Sequence, residues 1–358
     1  MNHFAKIAEK LNTYGLDGML LTCEANRFYA SGFHSTGTDG VALVTREGNF
    51  YFTDSRYIEA AHNKVQNAEI AQTDAAHPYV DLINAAMEKT HVQKLGFEDA
   101  YMTVADYRHY SEKLHCELVP ATELLISLRQ SKDAEEVERM IAAQRIAEGA
   151  LDQILKEIKP GVTEKEIAAR LQYLMLAGGA ENMSFDPIVA SGPNGSMPHA
   201  VPTDRKIQEG AFVTMDFGCI YHGYCSDMTR TFYFKTVSEE HRKVYETTRA
   251  ANEAAISKIR PGVPLRNLDA AARNLITEAG WGPNFNHRLG HFIGLSEHEF
   301  GDVSSANNWE AKPGMIFSIE PGIYLTGDTG VRVEDLVLVT EDGVEVLNHY
   351  PKNLQIIE

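Results

Sequence analysis

A repeated pattern in the second part of the chain most constrains its fold. Lys159-Pro160-Gly161-Val162-Thr163 lies between two helical stretches, and Arg260-Pro261-Gly262-Val263-Pro264 does so again about 100 residues later. Pro and Gly interrupt helices, so each copy predicts a helix–turn–helix unit. Each copy is followed by strand-like sequence that carries acidic residues. The pattern predicts an internal duplication within a domain that covers residues 123–358.

The first 122 residues have a different pattern, in which short apolar runs alternate with amphipathic stretches. Gly18–Leu21 reads as a buried strand, and Val41–Thr45 and Asn49–Thr53 read as a hairpin. Three helical patterns and one short strand follow. The helical patterns are Tyr57–Val65, Tyr79–Met87 and Val104–Leu114, and the strand Leu95–Phe97 lies between the last two of them. This alternation predicts an α/β domain over residues 1–122. A chain of 358 residues also favours two domains over one core, so the predicted fold class is α/β (α+β).

Composition excludes several classes of function. The chain carries 33 basic and 50 acidic side chains, a net charge of −17, which argues against nucleic acid as a partner. No stretch approaches the roughly 18 apolar residues of a membrane span, and the N-terminal segment lacks the pattern of a signal peptide. The four cysteines are far apart in the sequence, as in proteins of a reducing compartment. We therefore expect a cytoplasmic protein with no membrane or nucleic-acid partner.

Two aspartates lie at matching places in a predicted hairpin. The strand Ala211–Ile220 contains Asp216, and the returning strand Cys225–Phe232 contains Asp227. An even-length turn places both side chains on one face of the sheet, opposite or diagonal. Two carboxylates at that distance repel each other unless a cation lies between them or one is protonated. The alternative is a surface aspartate and a turn aspartate that bind nothing.

Further candidate ligands follow in two segments. Three histidines, His287, His291 and His298, occur within twelve residues among glycines, which permit close approach of the backbone to a buried site. Glu320 ends a strongly apolar run and Glu334 lies inside another, where an unpaired anion is costly. A purely structural account needs an ion pair from Arg332 to one of these glutamates. The other account is a metal cluster formed by Asp216, Asp227, His291, Glu320 and Glu334.

Four carboxylates and one imidazole form a ligand set without thiolates. Such a set favours Mn²⁺, and Co²⁺, Zn²⁺ and Fe²⁺ are also compatible with it. Two divalent ions balance the charge of four carboxylates. A water shared by two such ions ionises near neutral pH, and the ions polarise a carbonyl group. The predicted chemistry is hydrolysis of an amide-like bond.

The order and spacing of these motifs resemble those of the "pita-bread" metallopeptidases, in particular their Xaa-Pro peptidase branch. That branch contains Xaa-Pro aminopeptidase (aminopeptidase P) and Xaa-Pro dipeptidase (prolidase). In the N-terminal part, Asn26–Phe33 and Thr53–Tyr57 resemble the creatinase-like domain of this branch, so the resemblance covers nearly the whole chain. It implies a creatinase-like α/β domain followed by a pita-bread domain with pseudo-two-fold duplication. The motifs are Asp216, Asp227, Gly290-His291, His298-Glu299, Glu320-Pro321-Gly322 and Gly330-Val331-Arg332-Val333-Glu334.

The resemblance implies a role for each residue of the metal site. Asp216 binds one metal ion, Asp227 and Glu334 bridge both ions, and His291 and Glu320 bind the other. Glu320 is also implied to act as the general base that handles the proton of the bridging water. The cofactor it implies is therefore a pair of divalent ions, with Mn²⁺ the first choice.

The resemblance also implies roles for three histidines and one arginine. His199 lies on the substrate side, and His287 lies near the proline side of the pocket. His298 stabilises the tetrahedral intermediate and passes a proton to the leaving proline nitrogen. Arg332 supports the carboxylates without binding metal. The implied substrate is a proline-containing peptide, and the implied assembly is a homodimer.

Two departures from the family pattern affect the expected substrate. Phe292 stands where the family often has Gly after Gly-His, which is expected to narrow the pocket. Many dipeptidases have an Arg shortly after the His-Glu pair to bind the substrate carboxylate, and here Asp302 follows instead. An anion there would repel a dipeptide, so we expect an aminopeptidase P-like enzyme, with the prolidase-like activity as the alternative.

Three other activities are weighed against this prediction. A creatinase-like amidinohydrolase and a non-catalytic pita-bread binding protein would each be expected to lack part of the metal-ligand set, and all five ligands are present here. Methionine aminopeptidase is disfavoured by the large N-terminal domain and the proline-branch motifs.

Overall fold

The computed structural model describes residues 2–357, which form two compact units. The first unit ends at Arg129 and the second begins at Gln130. The helix that starts at Thr122, next to the domain boundary predicted from the sequence, is the last element of the first unit. Among the helices of residues 2–357, none has both the length and the hydropathy to cross a membrane.

The first unit is built on a six-stranded mixed sheet. Its strand order is β4-β3-β2-β1-β5-β6, with antiparallel pairing of β1, β2 and β3 and parallel pairing elsewhere. The strands are β1 (Gly18–Leu21), β2 (Gly40–Thr45), β3 (Asn49–Thr53), β4 (Glu69–Gln72), β5 (Lys94–Phe97) and β6 (Glu117–Pro120). The helices are α1 (Phe4–Leu11), α2 (Glu24–Ser31), α3 (Ile58–Lys64), α4 (Tyr79–Lys89), α5 (Val104–Lys113) and α6 (Thr122–Arg129).

The sequence pattern of the first unit explains its sheet. β1 and β2 are buried along their whole lengths, as their unbroken apolar sequences predict for central strands. The predicted hairpin is confirmed: Thr45 and Gly48 close its turn, and both the Thr45 backbone and its hydroxyl donate to the Gly48 carbonyl. Ile83 and Met87 of α4 pack on this sheet in one apolar core.

The second unit contains four long helices in two consecutive pairs. They are α7 (Ala134–Ile154), α8 (Glu164–Ala177), α9 (Glu239–Ile256) and α10 (Leu265–Glu278). Its strands are β7 (Asn182–Met183), β8 (Ile188–Ser191), β9 (Phe212–Phe217), β10 (Cys219–Tyr221), β11 (Tyr224–Cys225), β12 (Met228–Phe234), β13 (Gly290–His291), β14 (Asp302–Val303), β15 (Ile316–Ile319), β16 (Gly322–Leu325), β17 (Thr329–Arg332), β18 (Asp335–Val339), β19 (Val344–Val346) and β20 (Ile356–Ile357).

The predicted duplication is confirmed in the packing of the second unit. α7 and α8 share an apolar core with β9 and β12, and α9 and α10 share another with β15 and β18. The two helix-pair turns also repeat in detail. Ile207 donates a backbone hydrogen bond to Val162 O at 2.9 Å, and Ala311 donates the equivalent one to Val263 O, also at 2.9 Å. The repeated Pro-Gly-Val sequences therefore mark equivalent places in two similar halves.

The paired strands of each half fix where the acidic residues lie. In the first half, Thr229 of β12 pairs with Asp216 of β9, so Asp227 lies diagonally from Asp216 on the same face. In the second half, β15 and β18 pair antiparallel, with Glu320 directly after the first strand and Glu334 directly before the second. The predicted hairpin geometry of the two aspartates is thus confirmed.

Candidate metal centre and catalytic pocket

One cavity of about 250 Å³ in the second unit brings the predicted residues together. Its walls contain all nine residues that the sequence singled out: His199, Asp216, Asp227, His287, His291, His298, Glu320, Arg332 and Glu334. Phe185, Asp186, Ile188, Pro198, Arg288 and Glu297 complete the lining. The roles of the nine residues remain predictions, which the geometry below constrains.

Close packing of backbones brings His291 to the carboxylates. A Cβ atom on Gly290 would lie 1.9 Å from the carbonyl oxygen of Ser318, so only glycine lets β13 approach β15 this closely. The Ser318 hydroxyl accepts the backbone N–H of His291 at 3.0 Å and donates to Glu320 Oε1 at 3.1 Å. The glycine before the histidine is therefore a requirement of the site.

The imidazole of His291 lies close to three of the carboxylates. His291 Nε2 is 3.4 Å from Asp227 Oδ2 and 3.5 Å from Glu320 Oε1. One ligand atom from each of Asp227, His291 and Glu334 lies within 4.8 Å of the other two. These three residues are buried, as is Asp216. Hard oxygen donors with one imidazole nitrogen match the preferences of a small divalent ion such as Mn²⁺.

The carboxylates of this cluster need a positive charge that the surrounding protein supplies only in part. Burial, reinforced by the neighbouring carboxylates, raises the pKa values of Asp227 and Glu334 well above their usual range. Burial also raises the pKa of Asp216, against the opposing charge of Arg332. Three oxygens of these carboxylates are buried and have no hydrogen-bond partner among residues 2–357, namely Asp216 Oδ1, Asp227 Oδ1 and Glu334 Oε1. Unpaired acceptors on buried carboxylates are what a metal site requires, so the residues fit a bound cation.

Arg332 connects the cluster to the rest of the pocket. The structural alternative predicted that it pairs with Glu320 or Glu334, but its Nη2 atom instead donates to Asp216 Oδ2 at 2.5 Å. It reaches Glu334 through Thr229, whose hydroxyl accepts from Arg332 Nε at 3.0 Å and donates to Glu334 Oε2 at 2.7 Å. One buried cation thus orients two carboxylates on opposite halves of the unit.

Tyr324 contacts two residues of the cavity wall and is a residue that the sequence reasoning missed. Its hydroxyl accepts from Arg332 Nη1 at 2.8 Å and lies 3.1 Å from His287 Nε2. The Nδ1 atom of His287 lies 2.7 Å from the Arg288 carbonyl oxygen and so carries a hydrogen. Nε2 is then the acceptor of the tyrosine hydroxyl. Burial lowers the pKa of His287, which agrees with a neutral ring. The position of Tyr324, four residues after Glu320 in the same motif, is the only sequence signal for it.

The other two histidines differ in their surroundings. His298 packs edge-on against His291, with ring centroids 4.2 Å apart. Burial and then the charge of His291 lower the pKa of His298 to about 4, so its ring is neutral at pH 7. The following residue, Glu299, forms a buried ion pair with Lys132 at 3.0 Å and holds this segment. His199 is exposed on a loop that borders the same cavity.

The two departures from the family pattern do not face this cavity in the way expected. Phe292 lies in the hydrophobic core, 5.5 Å from the ring of Phe317 and 6.1 Å from that of Trp309. Successive side chains of a strand point to opposite faces, so the residue after His291 points away from the metal-binding side. Asp302 lines a neighbouring cavity with Trp309 and accepts a hydrogen bond from Ser304 at 2.8 Å.

Comparison with known families agrees with the geometry. Residues 138–341 match the model of metallopeptidase family M24, and residues 4–131 match the creatinase/prolidase N-terminal domain. The chain belongs to metallopeptidase family M24. It is therefore an enzyme of a metallopeptidase family, with a creatinase-type domain ahead of the pita-bread domain, and it contains a carboxylate–histidine cluster suited to metal.

Relatives within this family resemble the chain over its whole length. YqhT of Bacillus subtilis, described as an uncharacterised peptidase, is 36% identical over 353 residues, which are 98% of this chain and 99% of that protein. A solved structure described as Xaa-Pro dipeptidase from Bacillus anthracis is 38% identical, covers 99% of this chain and 98% of its own, and has a TM-score of 0.93.

Two further solved structures represent both kinds of Xaa-Pro peptidase. One is described as an X-Pro aminopeptidase from Thermotoga maritima and is 32% identical, with a TM-score of 0.90 and coverage of 96% of this chain and 98% of its own. The other is described as the prolidase from Pyrococcus horikoshii and is also 32% identical, with a TM-score of 0.90 and coverage of 98% and 99%. The M24 fold of this chain is therefore similar to that of both enzyme types.

Proposed function

We propose that this protein is a dinuclear metal-dependent Xaa-Pro exopeptidase, which hydrolyses the imide bond between an N-terminal residue and proline. The observation that carries the proposal is the cluster of buried carboxylates around His291, with three oxygens that lack a partner in the described chain. The similarity to Xaa-Pro dipeptidase and X-Pro aminopeptidase structures supports the substrate class.

The proposed metal ligands are the five residues of the cluster, and Mn²⁺ is the proposed metal. Asp216 would hold one ion, His291 and Glu320 would hold the other, and Asp227 and Glu334 would contribute to both. Two divalent ions held there would supply an ionised water as nucleophile and Lewis-acid polarisation of the scissile carbonyl. An imide bond before proline has no N–H group for an enzyme to bind, so polarisation of the carbonyl suits this substrate.

The protein groups then divide the work of proton transfer and charge stabilisation. Glu320 is only partly buried at the cavity and accepts a proton from the attacking water as general base. His298 is neutral at pH 7 and donates an N–H hydrogen bond to the developing oxyanion. Because a neutral imidazole is a poor acid, the protonated Glu320 carboxyl returns the proton to the leaving proline nitrogen. This assignment gives to Glu320 one of the two roles that the family resemblance implies for His298.

The remaining pocket residues position the substrate. His287, whose Nε2 accepts the Tyr324 hydroxyl, borders the proline side, and His199 faces the substrate from the exposed rim. Arg332 fixes Asp216 and, through Thr229, Glu334. None of these groups needs to change its charge during the reaction.

The proposal has two forms, which differ in the length of the preferred peptide substrate. We favour an aminopeptidase P-like activity, as the sequence predicts, with Xaa-Pro dipeptidase activity as the second candidate. One observation favours the second: Asp302, the predicted obstacle to a substrate carboxylate, lies in the neighbouring cavity and bonds to Ser304. Arg288 is exposed and lines both cavities, so the rim also offers a positive charge.

Cleavage of two substrates tests the function directly. The Mn²⁺-loaded protein is assayed for release of the N-terminal residue from Arg-Pro-Pro and from the dipeptide Ala-Pro. We expect cleavage of at least one, and the ratio of kcat/KM values assigns the length preference. Absence of cleavage of both, with Mn²⁺, Co²⁺ and Zn²⁺ each tested, contradicts the proposal. The proposal also includes a cytoplasmic location and a homodimeric state, and size measurement of the purified protein tests the second.

A further inference from the structure

A buried carboxylate, Glu164, lies at the base of the loop that carries His199. Glu164 is the first residue of α8, and its side chain is fully buried. The loop leaves β8 at Ser191 and extends to Thr203, with His199 exposed at the rim of the catalytic cavity. A buried anion is costly unless hydrogen bonds compensate it, so its partners indicate what it does.

Five hydrogen bonds join this carboxylate to both ends of the loop. Oε1 accepts the backbone N–H of Ser191 at 2.7 Å and its hydroxyl at 2.8 Å. Oε2 accepts the side-chain amide of Asn194 at 2.7 Å. It also accepts the backbone N–H of Thr203 at 3.0 Å and its hydroxyl at 2.7 Å. Charge-assisted bonds of this kind are roughly twice as strong as neutral ones, so the loop is closed on a single side chain.

The equivalent place in the second half of the unit shows that the fold itself does not need a carboxylate. The backbone N–H of Glu164 donates to Arg205 O at 3.1 Å, and that of Leu265 donates to Trp309 O at 2.8 Å. Leu265 is the first residue of α10 and is fully buried in the apolar core. An apolar side chain therefore suffices at the first position of this helix. We infer that the carboxylate in the first half is there because of its hydrogen bonds to the loop.

Residues next to the metal site contact the other side of the loop. Arg332 Nη1 donates to the carbonyl oxygen of Pro198, the residue before His199, at 3.1 Å. The backbone at Gly195 also packs directly on Gly330, where an added Cβ would lie 1.9 Å from the Gly195 oxygen. The loop is thus fixed between Glu164 on one side and the strand that carries Arg332 on the other.

We propose that Glu164 is a positioning residue for His199: its carboxylate holds the loop 191–203 in the conformation that presents His199 to the substrate. Its effect on catalysis rests on the proposed function, whereas its effect on the loop does not. A group held in place before the substrate binds pays no ordering cost during the reaction, and a shift of about 1 Å costs about 100-fold in rate.

The variant Glu164→Gln tests the loop. It replaces one accepting oxygen by an NH₂ donor, so two or three of the five hydrogen bonds lose their acceptor. The matched control is Glu166→Gln, two residues along the same helix, where the exposed carboxylate bonds only to Thr163 in the capping box. In peptide-resolved hydrogen exchange of the metal-loaded protein, we expect faster exchange of residues 192–203 in Glu164→Gln and unchanged exchange there in Glu166→Gln.

A double-mutant cycle separates positioning from general destabilisation. In the wild-type background, we expect Glu164→Gln to lower kcat/KM by about 100-fold. In the His199→Ala background, we expect the same change to alter kcat/KM by less than about twofold, since the positioned group is then absent. Equal losses in both backgrounds overturn the proposal, as does unchanged exchange in the loop.

Two further outcomes are covered by this design. If the wild-type protein cleaves no Xaa-Pro substrate, the proposed function fails, and hydrogen exchange still decides whether Glu164 orders the loop. If Glu164→Gln does not fold, Thr203→Val replaces it in both measurements. That variant removes one of the five hydrogen bonds from an exposed residue, so the same pattern with smaller amplitudes is expected.

Discussion

The two halves of the second unit place their acidic residues in the same way. Asp216 lies near the end of β9 and Glu320 directly follows β15. Asp227 directly precedes β12, and Glu334 directly precedes β18. Each half therefore contributes one carboxylate from the end of one strand and one from the start of its partner. The four carboxylates come from a duplicated frame, which explains why they meet although they are far apart in sequence.

The halves differ in the groups around this shared frame. The first half supplies His199 on a loop that is hydrogen-bonded to Glu164. The second half has the apolar Leu265 at the position equivalent to Glu164. The second half supplies His291 from the short strand β13. Duplication therefore accounts for the carboxylates, whereas the histidines and the residues that hydrogen-bond to their segments differ between the halves.

Each half also buries an arginine that pairs with an acid of the other half. Arg332 of β17 pairs with Asp216, and Arg230 of β12 pairs with Asp335 at 2.7 Å. Both arginines are almost completely buried. Of these two arginines, only Arg332 lines the catalytic cavity. The two ion pairs thus have a similar structural role, but only the Arg332–Asp216 pair lies at the catalytic cavity.

The largest expected effect comes from removing one proposed bridging carboxylate in each half. Loss of a residue that only hydrogen-bonds to a metal ligand typically costs roughly 10- to 100-fold in activity. Asp227→Asn and Glu334→Gln should each lower kcat by more than this, because each removes a ligand itself. Both should also bind less than two metal ions per chain. Metal analysis after dialysis checks this, with the exposed cavity residue Asp186→Asn as a control that keeps its metal. A large loss in only one of the two variants would break the equivalence of the halves.

The buried arginine pairs give the next prediction. Arg332→Met removes the ion pair of the buried Asp216 and should lower the free energy of unfolding of the metal-free protein by about 3–5 kcal/mol. Arg230→Met should lower it less, because Asp335 keeps its ion pair with Lys352 at 2.7 Å. Arg332→Met should in addition lower kcat by about 10- to 100-fold, since Asp216 and Glu334 lose their orientation. Denaturant unfolding and steady-state kinetics separate the two effects. Equal losses of kcat in both variants would show that Arg332 has no special relation to the site.

The smallest effect concerns the starts of the second helices. Thr163 caps α8 by accepting the backbone N–H of Glu166, whereas the equivalent Pro264 has no polar side chain with which to cap α10. Thr163→Ala should therefore lower the free energy of unfolding by about 1 kcal/mol. Pro264→Ala should change it less. Thermal unfolding of the two variants measures the difference, and a larger loss from Pro264→Ala would contradict this account of the caps.

Much of the fold follows from local sequence signals. The two Pro-Gly-Val turns predict the duplicated helix pairs, and the alternation of apolar runs predicts the strands of the first unit. The diagonal relation of Asp216 and Asp227 follows from strand periodicity and hairpin length alone. These features depend on residues that are near one another in the sequence, and for that reason they are readable from it.

The supports of the site could not be predicted in the same way. Glu164 bonds to residues 27 to 39 positions away, and Arg332 pairs with Asp216 across 116 positions. A glutamate in the first turn of a helix is ordinarily a surface residue, so nothing local distinguishes Glu164. The expected effects of Phe292 and Asp302 assumed that both face the catalytic cavity, and only the assembled strands show the surroundings of each.

The central claim is that two metal ions, held by carboxylates from both halves, support cleavage before proline. The most direct measurement is a titration of the metal-free protein with Mn²⁺, in which bound metal and the rate of Xaa-Pro cleavage are followed together. We predict that activity rises with binding and reaches its maximum when two ions are bound per chain. Full activity in the metal-free protein, or metal binding without any cleavage of Arg-Pro-Pro or Ala-Pro, would contradict the account.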